Sequence, residues 1–374
     1  MNILKYGILF LGIVLTSCQS SRPYISPEAS QKPAPVYEAG AVEEIVYLIG
    51  DAGKPALDGA TEPTFVWLQT QLQNDKVNST VVFLGDNVYP NGLPSESEKE
   101  KHQIAIRKLE EQFRASDAAE KRFVIAGNHD WNKGGKGGAE SVKRQEAWVE
   151  KRLGDPSSFF PEQACPGPVS QKLNPSAEFY FLDTEWWLTP EPKERGCQET
   201  SEEQVIQQLE NSLKQSDSEW KIVLGHHPVY SLGHHGGKYS FKDYCLPIPI
   251  LMPLLRKTIG HYTDFAHKRY KNLRKQFISV FEKHENLIYV SGHDHNLQFF
   301  KAKGFYQVVS GSGSKSSYVA RNPKAMFTSS QKGYSRLVFL KSNEIQVEFW
   351  APKLDGKQGD LLYSYRISQT EKKF

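Results

Sequence analysis

Residues 81–92 read VVFLGDNVYPNG. Its apolar start, VVFL, is β-branched and aromatic, the composition of a strand covered on both faces. The run stops at Gly85 and delivers Asp86, Asn87 and Tyr89 onto the loop beyond. In an α/β sheet, ligand-binding side chains collect at such strand ends. Gly, Asp, Asn and Pro are also turn formers. Alone, the stretch therefore leaves two readings open: a plain turn, or a turn that holds something.

The same pattern recurs along the chain, in EIVYLIGD (44–51), RFVIAGNHD (122–130), KIVLGHH (221–227) and NLIYVSGHDH (286–295). Between these runs lie helix-like stretches: SEKEKHQIAIRKLEEQFRAS, SVKRQEAWVEKRLG and SEEQVIQQLENSLKQS. Alternating strands and helices predict an α/β arrangement. Later, FYQVVSGSGS, YSRLVFL, EIQVEFW and LLYSYRI follow one another without long helices. They are expected to form a second, more antiparallel sheet packed on the first.

The chain has 374 residues, 39% hydrophobic and 24% charged, with a net charge of +3. That is the composition of a folded protein, and no single-sign block marks a nucleic-acid arm. The N-terminus, MNILKYGILFLGIVLTSC, has one Lys and a short apolar stretch, too short for a permanent membrane span. Its ending resembles a bacterial lipobox with Cys18 as the lipidated residue; an ordinary signal peptide cut near Ser17 is the alternative. The organisation expected is a signal over 1–17, a Ser/Pro-rich flexible tether over 18–41, and one domain over 42–374. That domain carries an insertion at about 240–275. Lipidation predicts an exported protein anchored to the cell envelope, on its periplasmic face or at the cell surface. Export also permits disulfides. Cys165 and Cys197 flank the strand-like AEFYFLDTEWWL and are the preferred pair, although three remaining cysteines allow three pairings.

The insertion begins apolar and Pro-broken (YCLPIPILMPLL) and ends basic (KRYKNLRKQF). An apolar patch beside a basic one suits a membrane surface or an acidic ligand. A lid or core-packing insertion with a solvated basic helix is the other reading.

The five strand ends offer Asp51, Asp86, Tyr89, Asn128, His226, His293 and His295. Carboxylate, phenol, amide and imidazole form a mixed O/N set suited to iron, manganese or zinc. Seven donors exceed what one tetrahedral ion needs and fit two ions clamping a displacement. Asp86 is the natural bridge between them.

In order, GDAG (50–53), GDNVY (85–89), GNHD (127–130), GHHP (225–228) and GHDHNLQ (292–298) resemble the calcineurin-like metallophosphoesterases. Within them the set is similar to the purple acid phosphatases, particularly the small tartrate-resistant type. The resemblance implies two packed mixed β-sheets with helices outside. Many relatives carry a His two residues after the first Asp, where this chain has Gly53. The purple phosphatases instead use a Tyr at the position of Tyr89. The resemblance assigns Asp51, Asp86, Tyr89 and His295 to a ferric ion. It assigns Asp86, Asn128, His226 and His293 to a divalent ion (iron, zinc or manganese). It places His129 beside the phosphoryl oxygens, with Asp130 to orient it, and His235 as the general acid for the leaving group. Lys133, Lys136 and Lys238, in glycine-rich loops, are candidate phosphate contacts. Ala52 stands where an aromatic residue is frequent, which would widen the site.

The expected activity is that of a phosphomonoesterase acting on a phosphate ester. A phosphodiesterase or pyrophosphohydrolase on nucleotides or lipid head groups, and a catalytically silent envelope lipoprotein, are the rival readings.

Overall fold

The computed structural model describes residues 22–31, 34–56, 61–191, 196–240, 256 and 258–368. The signal, Cys18, Cys245 and the apolar half of the insertion lie outside the described residues. In chain order come β1 (Tyr24–Ile25), α1 (Pro27–Ser30), β2 (Val42–Ile49), α2 (Pro63–Asn74), β3 (Asn78–Leu84), α3 (Lys99–Ala115) and β4 (Lys121–Ile125). Next are α4 (Gly138–Leu153), β5 (Val169–Asn174), β6 (Ala177–Leu182), α5 (Thr184–Leu188), α6 (Glu202–Gln215), β7 (Trp220–Gly225) and α7 (Lys268–Phe281). The chain ends with β8 (Leu287–Ser291), β9 (Leu297–Lys301), β10 (Phe305–Ser310), β11 (Phe327–Ser329), β12 (Tyr334–Leu340), β13 (Ile345–Pro352) and β14 (Gly359–Ile367).

Two mixed sheets result, ordered β14-β13-β12-β2-β3-β4 and β1-β11-β9-β10-β8-β7-β6-β5. Period-two alternation divides their side chains between two interfaces. Val46, Leu48, Val82 and Leu84 join Ile222, Leu224, Ile288 and Val290 in the core between the sheets. Their neighbours Tyr47, Ile49, Val81 and Phe83 pack with Phe65, Leu68, Leu109 and Phe113 of the outer helices. Each such fully buried side chain contributes about 1.5–3 kcal/mol relative to exposure. The helices follow their local chemistry: Ser201 accepts from the Gln204 amide at the start of α6, and Val205, Leu209 and Leu213 are buried four residues apart. α4 stops at Gly154, whose φ of 67° is left-handed.

The C-terminal strands do not make a separate second sheet. β12 pairs antiparallel with β2, and β13 and β14 extend it outward. β10, expected to join them, lies parallel to β8 in the other sheet. The exposed edge of β2 explains this, since an unpaired row of backbone groups needs a partner. The aromatic half of AEFYFLDTEWWL is helix rather than strand, because Asp183 accepts from the Glu185 and Trp186 amides and caps α5.

The tether expected over 18–41 is docked where it is described. Tyr24 and Ile25 pair with Thr328 and Phe327, and Ala29 is buried. The Tyr37 hydroxyl donates to Glu348, and Arg366 donates to the Pro35 carbonyl. Cys165 and Cys197 are disulfide-bonded, with Cα atoms 5.5 Å apart.

The described basic part of the insertion is a core helix. α7 buries Tyr270, Leu273, Phe277, Val280 and Phe281, and its Arg269 and Arg274 donate to the carbonyls of Thr189 and Val229. Among the described residues, no helix is long and apolar enough to cross a membrane.

Candidate metal centre

Five strands from the two sheets end at one place. Asp51 and Asp86 follow β2 and β3 by two residues, Asn128 follows β4 by three, His226 follows β7 directly, and His293 follows β8 by two. Backbone bonds weld these ends together. The Asp51 amide donates to the Gly85 carbonyl, Gly50 to Ser310, and Gly292 to His226. Asp51, Asp86 and His293 adopt φ of 57°, 57° and 69°. Such backbone costs roughly 1–3 kcal/mol per non-glycine residue and persists where the surroundings over-determine it.

The seven donors fall into two groups sharing Asp86. In the first, Tyr89 Oη lies 2.8 Å from Asp51 Oδ1, 2.8 Å from Asp86 Oδ2 and 3.1 Å from His295 Nε2. In the second, His226 Nε2 lies 3.4 Å from Asp86 Oδ1 and 3.2 Å from Asn128 Oδ1, and His293 Nδ1 lies 3.0 Å from that same amide oxygen. The far nitrogens are engaged: His226 Nδ1 with the Leu84 carbonyl at 2.7 Å, His293 Nε2 with the Thr263 carbonyl at 3.0 Å. Carbonyls accept only from N–H, so both rings present a lone pair to the cluster.

The electrostatics of the donors suit a cation. Burial, reinforced by the Asp86 charge, pushes the Asp51 carboxyl up to about 7. Burial and both carboxylates drive the Tyr89 phenol far above its ordinary value. Burial acts to raise Asp86 too, but His129, His226 and the His129 amide hold it below the usual carboxylate range. Burial lowers His293 well below its ordinary value, and burial with Lys315 brings His295 down to about 3. Crowded carboxylates, a phenol and neutral imidazoles form a set that bound cations reverse from strained to favourable.

Gly53 and Tyr89 are coupled through the backbone. Gly53 N donates to the Asp86 carbonyl and Tyr89 N donates to that of Gly53. A Cβ at Gly53 would sit 2.3 Å from the Asn87 carbonyl carbon, so no His fits there while the Tyr89 loop holds this position.

A cavity of about 210 Å³ opens over the cluster, lined by Asp86, Asn128, His129, Lys133, His235, His261, Thr263, His293 and His295. His129 lies against the Tyr89 ring at 4.1 Å, with Nδ1 2.6 Å from the Pro90 carbonyl. Asp130 does not orient it. Its carboxylate instead accepts from the amides of Gly127, Asn87 and Val88 and ties two turns together. His235 stacks on His293 at 3.9 Å, and its Nδ1 lies 2.8 Å from Asp264 Oδ1. Of the three candidate lysines only Lys133 lines this cavity. Ala52 is buried in the core and is not among the lining residues of this cavity.

Sequence reasoning passed over His261, Thr263 and Asp264, which the insertion folds over the centre, and took His226 rather than its neighbour His227 as the candidate ligand. His227 is buried with its Nδ1 2.8 Å from Thr184 Oγ1, and its donor atoms come within 4.8 Å of those of His226 and His293. Lys315, in the loop after β10, has its ammonium 4.1 Å from the centre of the Tyr89 ring.

The profile of the family described as calcineurin-like phosphoesterase matches residues 46–297. Purple acid phosphatase 17 of Arabidopsis thaliana is 27% identical over 248 residues, covering 64% of this chain and 65% of the relative. Tartrate-resistant acid phosphatase type 5 of Oryctolagus cuniculus is 28% identical over 244 residues, covering 62% and 60%. The chain thus spans slightly under two thirds of these relatives. Among solved structures, GAP50, described as the anchor in the inner membrane complex of Plasmodium, shares the fold. It superposes with a TM-score of 0.53 at 19% identity, over 87% of this chain and 89% of that one. With strand order, converging donors and a family profile spanning most of the domain in agreement, this chain belongs to the calcineurin-like phosphoesterase family.

Proposed function

We propose that the chain is a metal-dependent phosphoric ester hydrolase that acts on phosphate monoesters. The observation that carries this reading is the convergence of seven donors into two groups sharing Asp86. Asp51, Asp86, Tyr89 and His295 would hold a ferric ion. Asp86, Asn128, His226 and His293 would hold a divalent ion: iron, zinc or manganese. Two such cations supply Lewis acidity and neutralise charge on a bound phosphoryl group.

The chain's own groups do the rest. His129, whose Nδ1 donates to the Pro90 carbonyl, turns its other nitrogen toward the cavity, 3.8 Å from Asp86 Oδ2, where the protonated ring can donate to a phosphoryl oxygen. His235, tethered to Asp264, is placed to protonate the leaving alcohol. Lys133 on the cavity wall adds positive charge. The N-terminal segment supports export and lipid anchoring at Cys18 to a bacterial cell envelope.

A second reading takes its support from the description of GAP50 as an anchor: the fold kept for attachment rather than chemistry. Metal analysis and turnover separate them. On the first reading the protein should hold two metal ions per chain and hydrolyse para-nitrophenyl phosphate faster than its bis ester. Preference for the diester overturns the monoesterase assignment. A chain that takes up no metal and turns over neither ester is an anchor.

A further inference from the structure

A larger cavity, of about 660 Å³, adjoins the metal-centre cavity, and His235 lines both. That volume is typical of small-molecule sites. Lys238, Arg256, Arg274 and Lys324 are on its walls, and no carboxylate lines it among the described residues. Arg256 is already neutralised, since its Nε and Nη2 both donate to Asp264.

Arg274 is not. Its Nε donates to the Val229 carbonyl at 2.7 Å, and its guanidinium lies 3.9 Å from the centre of the Phe265 ring. Among the described residues no carboxylate pairs with it. A guanidinium withdrawn from water is ordinarily paired, and its planar fork matches phosphate. Fixed by a carbonyl on one side and a ring on another, it borders a cavity with no counter-charge among the described residues. Phe265 and Tyr230 add ring surface to the same walls.

We infer that this cavity receives the leaving group of the substrate, and that the substrate is a monoester whose leaving alcohol carries a ring and a second phosphate, as a nucleoside bisphosphate does. The inference rests on the monoesterase reading above. With the scissile phosphate at the metal centre, the leaving oxygen meets His235. The rest of the alcohol then passes His235 into the larger cavity. There the second phosphate meets Arg274, with Lys238 and Lys324 adding field, and the ring lies along the aromatic wall.

The test compares kcat/KM for four probes on the metal-loaded protein: phenyl phosphate, adenosine monophosphate, glycerol bisphosphate, and an adenosine bisphosphate phosphorylated on two separate ribose hydroxyls. The adenosine bisphosphate should exceed the monophosphate by roughly tenfold, the worth of one charge-assisted hydrogen bond, and the advantage should shrink as salt is raised. It should also exceed glycerol bisphosphate, which lacks the ring. Arg274→Gln should collapse the bisphosphate-to-monophosphate ratio, and Arg274→Lys should restore part of it. Lys324→Gln, at an exposed residue, should lower the ratio and its salt dependence even if the Arg274 variants fail to fold. Equal rates for the two adenosine esters, or a ratio unmoved by Lys324→Gln and by salt, overturn the inference. If phenyl phosphate is still hydrolysed, the monoesterase reading survives that outcome. If no monoester is turned over, the monoesterase reading itself falls.

Discussion

Replacing Gly53 by Ala tests the coupling between two turns that together shape the proposed ferric site. The φ of Gly53 is not left-handed, so Ala meets no intrinsic backbone strain there. It meets space instead. The new methyl would lie 2.3 Å from the Asn87 carbonyl carbon, 2.5 Å from its oxygen and 2.5 Å from the Val88 nitrogen. Ordinary carbon contacts are about 3.5–4.0 Å, so the turns must part by roughly 1 Å. All three contacts are backbone, which cannot swing aside as a long side chain can. Two hydrogen bonds span the gap, Gly53 N to Asp86 O and Tyr89 N to Gly53 O. Overpacking costs about 1–3 kcal/mol, and losing the two bonds adds about 1 kcal/mol each. The expected loss is therefore about 3–5 kcal/mol, with Asp86 and Tyr89 carried out of register. Scanning calorimetry should show a lower Tm. Metal analysis and visible absorbance should show a weakened centre with its tyrosinate colour diminished. Adding Tyr89→Phe should not rescue stability, because the clash is with the chain and not with the ring. A Gly53→Ala variant with unchanged Tm, metal content and colour would refute the coupling.

Three further outcomes are expected. Tyr89→Phe keeps the ring against His129 but removes the oxygen between Asp51 and Asp86. The metal-loaded protein should lose its visible band, and kcat/KM should fall by roughly 10–100-fold; an intact band would exclude Tyr89 as a ligand. Asp264→Asn loosens His235. It should slow phenyl phosphate by roughly tenfold and para-nitrophenyl phosphate far less, since only the poorer leaving group needs the proton. Equal effects on both esters would remove His235 as the general acid. Glu146, pushed up to about 7 mainly by burial, binds a proton in the folded state at pH values where the unfolded chain has lost it. Its contribution is complete below the ordinary carboxyl value and is lost as pH rises through 7. Glu146→Gln, which retains an acceptor for the Gln163 amide, should raise Tm by a few degrees at pH 8 and change it little at pH 4; a pH-independent shift would contradict this origin.

What was legible in the sequence was whatever depends on local pattern. Strand ends marked by Gly followed by Asp, Asn or His located all seven candidate donors, because a strand must stop where its next residues turn away from the ladder. Tyr89 and Gly53 could be read as a pair only through the resemblance to the purple acid phosphatases, and the structure adds a 2.3 Å contact between a Cβ at Gly53 and the Asn87 carbonyl carbon. The sheet assignment of the C-terminal strands was not legible, because period-two alternation says which face is buried but not which edge is joined. β12 binds β2, nearly three hundred residues earlier. The docking of Tyr24 and Ile25 was hidden for a similar reason. Two residues beside β11 are too short to show a period, and their Pro- and Ser-rich neighbours read as linker.

The insertion illustrates the same limit at the site itself. Its composition left two readings open, a membrane or acidic-ligand surface and a lid or core-packing insertion, and its described end is folded into the centre. The Thr263 carbonyl accepts only if His293 carries its proton on Nε2, so this one backbone group selects the tautomer whose Nδ1 lone pair faces Asn128. The neighbouring Asp264 carboxylate takes His235, Arg256 and the His261 amide at once. One residue thus sets the orientation of a proposed metal ligand, and the next sets that of the proposed acid. A segment that varies the leaving-group side can do so without touching the five strand ends, while remaining joined to the candidate metal site through the Thr263 carbonyl and through His235, which Asp264 holds against His293. Changes of length between Ser240 and Arg256 should therefore alter substrate choice readily. Changes that displace Thr263 should alter metal affinity, because the tautomer of His293 travels with it.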